Sequence, residues 1–280
     1  MNENLPPPAP AINDWLIAAT RRLSDIGIAT ARLDAELILA HTLRVSRTYL
    51  HAHGDDNLDD RQLEIANARL DLRLDRVPVA YITGHKEFYG KLFHVTTATL
   101  IPRPESESLI DLLRLALLET PTVSRLVDVG TGSGALGITA ARLFTSLDVT
   151  LIDNSHQALV VAEKNLHQQA VEARLLHSDL LEDYSQTADI IMANLPYVDR
   201  DWERSPETDH EPAEALFASK QGLALIERLI LQTPNKLAIN GHLILEADPV
   251  QHRSIIEFAK NYNLQHRQTE GYGVWLQKLR

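Results

Sequence analysis

The hydrophobic pattern divides the chain into a helical front and a longer part in which strands and helices alternate. Between residues 12 and 76, apolar side chains recur at helical spacing, as Leu33, Leu37 and Leu70 illustrate, and Gly27 is a candidate helix end. No strand pattern occurs before Val77. The sequence therefore predicts a small all-helical domain over residues 12–76.

Two stretches beside this predicted domain have a different character. Residues 1–11 are rich in proline and lack the basic and apolar segments of a signal peptide, which predicts a solvated leader. Residues 79–82 are β-prone, and Gly90-Lys91 separates two further β-prone runs. The pattern therefore predicts a strand at 79–82 and a β-hairpin linker over residues 77–104.

From residue 105 to residue 280, short apolar runs alternate with helical patterns. Strands are predicted over residues 125–129, 148–152, 172–176, 190–193 and 241–246. Strands that alternate with helices predict a parallel, doubly wound α/β sheet with helices on both faces. Two consecutive β-prone pieces, 264–269 and 274–279, predict an antiparallel hairpin added to the edge of that sheet.

The fourth predicted strand ends in the sequence Asn194-Leu195-Pro196-Tyr197. Pro196 has no N–H and favours an extended Leu195, which turns the Leu195 carbonyl out of the strand ladder. The Asn194 side-chain carbonyl then lies beside a free main-chain carbonyl, with the Tyr197 ring nearby. Because a planar NH2 group has two donors in one plane, we predict a clamp for a primary amide or an amino group. The alternative is an ordinary strand end followed by a turn.

A second candidate feature is the glycine turn that follows the first of these strands, residues 130–134. Glycines leave no Cβ between main-chain N–H groups and a ligand. Asp153 ends the next strand, 19 residues after Gly134, where a carboxylate can accept from both hydroxyls of a ribose. Asp179 ends the third strand and could accept from an adenine amino group.

Each of these residues also has a plain structural explanation. Asp153 and Asp179 could be helix caps or turn residues, and the glycine turn alone also fits a dinucleotide-binding protein. All of them, with Asn194, follow the carboxyl ends of strands, where open α/β sheets bind ligands. This convergence predicts one ligand site at that edge of the sheet.

Composition narrows the class of protein. The chain is 44% hydrophobic and 23% charged, as a globular protein is. It has no cysteine, which excludes disulfides and thiolate metal sites and fits a reducing cytoplasm. His51 and His53 have no third ligand at usable spacing, so no metal site is predicted. The apolar runs are too short to cross a bilayer, and the net charge of −11 disfavours binding to a phosphate backbone.

The motifs, taken in order, resemble the HemK/PrmC family of protein-glutamine methyltransferases. The matching residues are the run 81–84, the run Ile101-Pro102-Arg103-Pro104-Glu105-Ser106-Glu107, the run 128–134, Asp153, the run 194–197, Glu211-Pro212, Ala215-Leu216, Gly222-Leu223, Glu246 and Gln251. In that family a helical domain precedes a class I (Rossmann-like) methyltransferase domain that uses S-adenosylmethionine. The resemblance implies methyl transfer to the side-chain amide nitrogen of a protein glutamine. In the namesake branch this glutamine lies in the Gly-Gly-Gln loop of a peptide chain release factor.

The resemblance also implies roles for particular residues. The implied cofactor-binding residues are Gly130, Thr131, Gly132, Ser133, Gly134, Asp153, Asp179, Leu180 and Asn194. The implied catalytic and substrate-binding residues are Asn194, Leu195, Pro196 and Tyr197. It further implies that the helical domain recognises the substrate, that the protein is cytoplasmic, and that it binds neither a membrane nor a specific nucleic-acid sequence.

The chain departs from the family pattern at three places, and several alternatives stay open. Leu195 stands where proline is usual, Ala247-Asp248 replaces a glycine after Glu246, and residues 271–275 lack a common acidic-basic pair. Leucine still supplies the main-chain carbonyl but restores an N–H. The alternatives are methylation of a ribosomal-protein glutamine, methylation of an adenine amino group in nucleic acid, and a binding protein with impaired catalysis. A nicotinamide dehydrogenase would not explain the strand end at 194–197.

Overall fold

A computed structural model describes residues 10–279 of the chain. The predicted leader lies outside these residues except for positions 10 and 11. The chain divides into two compact units at the bond between Gly84 and His85, which we call the helical unit and the sheet unit. The finer boundaries at residues 76 and 104 stay predictions. Among the described residues, no helix combines the length and the apolar character that a membrane span requires.

The helical unit is built from α1 (Ile12–Asp25), α2 (Ala31–Leu43), α3 (Arg47–Ala52), α4 (Asp60–Leu74) and α5 (Val79–Thr83). Its core contains Trp15, Leu39 and Leu70 from three of these helices. The start of α4 is a capping box, in which the side chains of Asp59 and Gln62 each accept from the other's backbone N–H. The predicted all-helical character is confirmed, although the hydrophobic pattern did not indicate α3.

The strand predicted at residues 79–82 is wrong, because these residues form α5. The carbonyl of Pro78 accepts from the N–H groups of Tyr81 and Ile82 and so starts the helix. Gly84 ends it with a φ of 74°, in the left-handed region that glycine enters without strain. Two end signals within seven residues outweigh a β propensity that depends strongly on context.

The predicted hairpin is present at the start of the sheet unit, with its turn one residue earlier than expected. β1 (His85–Phe88) and β2 (Lys91–His94) are antiparallel, and Phe88 pairs with Lys91. The turn residues are therefore Tyr89 and Gly90 and not Gly90 and Lys91. Both have positive φ, 48° and 71°, as a two-residue I′ hairpin turn requires. The hairpin buries its Phe88 side chain in the core of this unit.

The rest of the sheet unit alternates helices and strands as predicted. Its elements are α6 (Glu107–Glu119), β3 (Arg125–Val129), α7 (Ala135–Leu143), β4 (Asp148–Asp153), α8 (His156–Gln169), β5 (Arg174–His177), β6 (Ala188–Ala193), α9 (Ala213–Leu216), α10 (Ala224–Lys236), β7 (Leu237–Glu246), α11 (His252–Ala259), β8 (Leu264–Glu270) and β9 (Gly273–Lys278). Short 3-10 segments cover Pro104–Ser106, Pro206–His210 and Lys260–Tyr262.

Seven strands form one sheet in the order β5-β4-β3-β6-β7-β9-β8. The first five of these are parallel to one another, whereas β9 is antiparallel to both β7 and β8. The predicted parallel α/β sheet with an added antiparallel hairpin is thus confirmed. The hairpin joins the sheet through β9, so its first strand, β8, forms the edge.

Helices cover both faces of the sheet and leave a crevice at one of its ends. Side chains from α6, α7 and α8 pack in one hydrophobic cluster, and side chains from α10 and α11 pack in another. Leu126 and Val127 of β3 belong to different clusters, because successive residues of a strand face opposite sides. The chain progresses outward in both directions from β3 and β6. Open sheets of this kind bind ligands at the carboxyl ends of the strands beside such a point.

Candidate active site

A pocket lies at the carboxyl ends of β3, β4, β5 and β6 and brings together most of the predicted site residues. Of those residues, Gly130, Thr131, Gly132, Ser133, Asp153, Asp179, Leu180, Asn194, Leu195 and Pro196 line it, whereas Gly134 and Tyr197 do not. Among the other lining residues are Phe88, Leu100, Pro102, Ser106, Pro212, Glu214 and Leu225. Residues 194–196 and 130–133 therefore share one cavity, which is the part of the predicted grouping that the structure brings together.

The glycine turn connects β3 to α7 and touches the neighbouring strand end. Gly130 has a φ of 71°, and a Cβ placed on it would lie only 2.9 Å from Leu195 Cδ2. A side chain at this position would push the two site segments apart. Gly132 has a φ of 54°, and a Cβ placed there would meet no atom within 4 Å. The backbone of Gly132 is thus open to a ligand in the pocket.

Asp153 ends β4 and holds the glycine turn from the side. Its Oδ2 accepts from the Gly132 N–H at 2.8 Å, and its Oδ1 accepts from the Ser155 N–H at 2.9 Å. The residue is 9% exposed, and burial raises the pKa of its carboxyl while these backbone hydrogen bonds oppose the increase. Each oxygen keeps a second lone pair. Asp153 can therefore support the turn and accept from ligand hydroxyls at the same time.

Asp179 and Leu180 lie at the rim of the pocket, after β5. The Asp179 carboxylate forms a partly exposed ion pair with Arg228 at 2.8 Å. Leu180 is buried and has a φ of 52°. Asp179 therefore has a protein partner of its own, and its contact with an adenine amino group stays a prediction.

The charges in the pocket wall are all negative. Asp153, Asp179 and Glu214 line the cavity, and no lysine, arginine or histidine occurs among the described lining residues. A wall of this kind attracts a ligand with positive charge and repels the pyrophosphate group of a dinucleotide. The electrostatics thus disfavour the dinucleotide-binding alternative that the glycine turn alone left open.

Asn194 and Leu195 follow β6, line the pocket and each have an oxygen without a donor among the described residues. The Asn194 Nδ2 donates to Ser106 Oγ at 3.0 Å, so the side-chain oxygen is left as its free acceptor. Among residues 10–279, no N–H or O–H group donates to the Leu195 carbonyl. Leu195 itself is 4% exposed and packs in the core. Both residues line the pocket, and the use of their two oxygens as a clamp for an NH2 group stays a prediction.

Tyr197 lies behind this wall and contacts β7 and the start of α11. Its hydroxyl donates to Glu246 Oε1 at 3.0 Å, and its carbonyl accepts from Gln251 Nε2 at 2.9 Å. Burial, and then the nearby Glu246 charge, raise the pKa of the Tyr197 hydroxyl, so the group is a neutral donor. The substrate-binding role that the resemblance implies for Tyr197 stays a prediction, since Tyr197 does not line the pocket.

The sequence did not indicate a function for several residues of the site. Ser106 bonds Asn194 at the pocket wall, a role that its place in the run 101–107 does not indicate. Glu211 connects the segment before Pro212 to the segment around Pro102, since it accepts from the Ile101 N–H at 3.0 Å and forms an ion pair with Arg103. The only signal for these residues was the Ile-Pro-Arg-Pro run and the Glu-Pro pair within the family resemblance, which gave them no role.

Asp128 is a further unpredicted support of the glycine turn. Its Oδ2 accepts from Thr131 Oγ1 at 2.6 Å and from the Gly137 N–H at 2.9 Å, which links the turn to the first turn of α7. Its Oδ1 is buried and has no hydrogen-bond partner among the described residues. Desolvation by burial raises the pKa of Asp128 to about 6.

This raised pKa predicts a pH-dependent effect of Asp128→Asn. Because the folded carboxyl has the higher pKa, its contribution to stability is most favourable at low pH and declines as the pH rises toward 6 and above. Relative to the wild type, the variant should therefore become more stable by up to about 3 kcal/mol between pH 4 and pH 7. Urea unfolding of both proteins across this range measures the difference, and parallel curves would contradict the prediction.

Comparisons with known proteins agree with this geometry. Models of the PrmC N-terminal domain and of the Methyltransferase small domain match residues 14–84 and 107–211. The solved structure of the Thermus thermophilus 16S rRNA N2 G1207 methyltransferase, in complex with AdoMet and guanosine, is similar with a TM-score of 0.51, at 20% identity, covering 70% of this chain and 50% of that one. A methyltransferase from Pyrococcus furiosus is similar with a TM-score of 0.52, at 15% identity. The match covers 76% of this chain and 98% of that one. Fold and pocket together define a class I methyltransferase that uses S-adenosylmethionine.

Sequence relatives place the chain more narrowly. The release factor glutamine methyltransferase of Koribacter versatilis is 35% identical over 83% of this chain and 86% of that protein. The release factor glutamine methyltransferase of Escherichia coli K12 is 34% identical over 83% of this chain and 84% of that protein. The chain belongs to the release factor glutamine methyltransferase family.

The pocket residues fit the cofactor of this class. S-adenosylmethionine has a sulfonium and an ammonium group against a single carboxylate, which suits a wall that contains three carboxylates. Its ribose hydroxyls are donors for which Asp153 keeps free lone pairs. The open backbone at Gly132 leaves room for the ligand beside the turn.

Proposed function

We propose that the protein transfers a methyl group from S-adenosylmethionine to the side-chain amide nitrogen of a glutamine in a peptide chain release factor. The observation that supports this most directly is the pair of acceptors at the end of β6. Asn194 and Leu195 line the same cavity as the glycine turn and Asp153, and the bond from Asn194 Nδ2 to Ser106 leaves the Asn194 oxygen as an acceptor. A primary amide has the matching pair of donors on one nitrogen.

The chain's main task in this reaction is positioning. An amide nitrogen is a weak nucleophile, because its lone pair is shared with the carbonyl. The bound cofactor supplies an electrophilic methyl group on a sulfonium. Holding the reacting groups in line can lower the barrier by about 7–11 kcal/mol. By accepting the two amide protons, Asn194 and Leu195 fix the plane of the amide and stabilise the positive charge that grows on nitrogen.

The proton that nitrogen must lose meets no histidine among the described lining residues. The carboxylates of the wall are Asp153, which holds the glycine turn, Asp179, which pairs with Arg228, and Glu214. A nitrogen that has just gained a fourth substituent is strongly acidic, so its proton can leave to water after methyl transfer. Catalysis of this kind depends on geometry and on acceptors more than on a general base.

The names of the relatives support a release factor as the protein substrate. Proteins of this name match more than four fifths of the chain at 34–35% identity. Two other substrates carry the same kind of NH2 group, a glutamine of a ribosomal protein and an adenine in nucleic acid. The net charge of −11 makes the adenine less favourable. A release factor acts during translation, so this substrate also implies a cytoplasmic location.

Incubation with labelled S-adenosylmethionine tests the proposal directly. Purified release factor, ribosomal proteins and nucleic acid serve as separate acceptors, and mass spectrometry of peptides locates the added methyl group. We expect label on one glutamine of the release factor, and loss of that label when the glutamine is replaced by alanine. Methylation of a ribosomal glutamine or of adenine, with the release factor unlabelled, would contradict the proposed substrate. No transfer to any acceptor would contradict the catalytic proposal.

A further inference from the structure

We propose that Glu211 is a positioning residue for S-adenosylmethionine, because it connects two walls of the pocket to each other and so slows the release of the bound cofactor. The proposal concerns the cofactor and does not depend on which protein is methylated. The first wall, residues 98–102, precedes α6, and the second wall, residues 212–215, includes most of α9. The residues of these walls that line the pocket are Ala98, Thr99, Leu100, Pro102, Pro212, Glu214 and Ala215.

The carboxylate of Glu211 makes both contacts between these walls. Its side chain is 1% exposed, and the residue directly precedes Pro212. Oε2 accepts from the Ile101 N–H at 3.0 Å, and Oε1 accepts from the Arg103 guanidinium, with which it forms an ion pair. Hydrogen bonds between charged groups are among the stronger ones in proteins. Because Ile101 and Arg103 flank Pro102, Glu211 holds the first wall on both sides of a residue that lines the pocket.

The walls are stiff where Glu211 holds them. Pro102 and Pro212 both line the pocket, and a proline ring fixes its own φ. A movement of Glu211 is therefore passed on to the lining residues and is not absorbed by backbone rotation at the prolines. Burial raises the pKa of Asp153, and the charge of Glu214 on α9 adds to that increase. The second wall thus lies near the carboxylate that can accept from the ribose hydroxyls.

The second wall belongs to an excursion of the chain, residues 199–216, that leaves the end of the site sequence and returns to it. The Val198 N–H donates to the Leu216 carbonyl at 3.0 Å, and the Val198 carbonyl accepts from the Ala218 N–H at 3.2 Å. The Arg204–Asp209 ion pair is partly exposed and stays within the excursion. The contact of Glu211 differs, since it is buried and crosses to a segment that lies about a hundred positions earlier in the chain.

This arrangement predicts a particular kinetic effect. A ligand between two connected walls leaves when the walls separate, so the contact of Glu211 should lower the dissociation rate more than it changes the association rate. Removing one partner of a buried ion pair leaves the other charge uncompensated, which favours separation of the walls. The effect depends on the position of the walls, and it should therefore be similar for S-adenosylmethionine and for its product S-adenosylhomocysteine.

Glu211→Gln is the first test, because it keeps the shape of the side chain and removes its charge. A glutamine can still accept from the Ile101 N–H but cannot form an ion pair with Arg103. Stopped-flow displacement of S-adenosylhomocysteine measures the dissociation rate. We expect an increase of at least about tenfold, as the loss of a hydrogen bond between charged groups implies, with an association rate close to that of the wild type.

Variants of Arg103 test the same contact from its more exposed side, where the side chain is 33% exposed. Arg103→Gln should speed release as Glu211→Gln does, and the double variant should release no faster than either single variant, because both remove one interaction. Arg103→Lys keeps the positive charge and should recover most of the wild-type rate. Asp209→Asn is the matched control, since it removes an ion pair within the excursion and should leave release unchanged.

Hydrogen exchange separates positioning from a general loss of stability. In Glu211→Gln, the amides of residues 213–217 should exchange faster, whereas the midpoint of thermal unfolding should stay close to the wild-type value. Wild-type release rates in both Glu211→Gln and Arg103→Gln would overturn the inference, and so would effects that add in the double variant. Equally fast release in Asp209→Asn would show that any damage to the excursion suffices, which also overturns it. If Glu211→Gln does not fold, the two Arg103 variants decide the question.

Discussion

Asn194→Ala should reduce turnover by about a hundredfold to a thousandfold or more, the range found when one preorganised hydrogen-bonding group is removed from a transition-state site. The variant loses the acceptor that orients the substrate amide, whereas the Leu195 carbonyl and the Asp153 carboxylate stay in place. The affinity for S-adenosylmethionine should therefore change little. Single-turnover rates with the release factor, together with calorimetric titration of the cofactor, measure the two quantities.

A large loss of rate with little loss of cofactor affinity would identify Asn194 as a residue that acts on the substrate. Its side chain also bonds Ser106, so part of any effect could come from loosening of the pocket wall. A thermal unfolding midpoint near that of the wild type excludes this explanation. Equal loss of cofactor affinity and of rate would mean that Asn194 supports the structure and does not act on the substrate.

Asp153→Asn should weaken cofactor binding by about a hundredfold, while the rate at saturating cofactor falls much less. Hydrogen bonds to a charged group contribute about 1.5–3 kcal/mol each, and the loss of about 3 kcal/mol corresponds to roughly a hundredfold change in affinity. The amide also places an NH2 group against one of the two N–H donors, from Gly132 or Ser155, that the carboxylate now satisfies. Equilibrium titration with S-adenosylmethionine measures the effect.

Asp148 provides a matched control on the same strand. It starts β4, at the opposite end from Asp153, and forms an exposed ion pair with Arg174. Asp148→Asn should leave cofactor affinity unchanged, because exposed ion pairs contribute little and the residue is remote from the pocket. A similar loss in both variants would show that the charge of the strand, and not the position of Asp153, determines binding.

Much of the site was predictable because the topology alone brings its parts together. Residues that follow parallel strands meet at one edge of the sheet, so Gly130, Asp153 and Asn194 could be grouped before any coordinates were known. The freedom of the Leu195 carbonyl from the strand ladder was predictable as well, since Pro196 interrupts that ladder. These inferences needed only the order of strands and the chemistry of single residues.

The supports of the site could not be predicted in the same way. Ser106 contacts Asn194 across 88 positions, and Glu246 contacts Tyr197 across 49. Such pairs depend on how the helices and loops pack on the sheet, which periodicity does not specify. The same limit explains Tyr197, which was expected beside the substrate but reaches back to a carboxylate that only tertiary structure places there.

The structure reduces the importance of one departure from the family pattern, the leucine at position 195 in place of proline. Compared with proline, leucine has an N–H and a freer backbone, which by itself would loosen the strand end. The Leu195 side chain is buried, and its Cδ2 lies 2.9 Å from the position that a Cβ on Gly130 would occupy. Packing against the glycine turn thus restricts the segment by another route.

The distribution of these contacts has a consequence for engineering. A short synthetic peptide with the residues of β6 and the four that follow would retain the signature by which the family is noticed. It would lack the serine, the glutamate and the glutamine that fix those four residues, since each lies 49 or more positions away in the chain. A designer who wishes to graft this chemistry onto another scaffold must therefore rebuild these three distant supporting residues as well as the tetrapeptide.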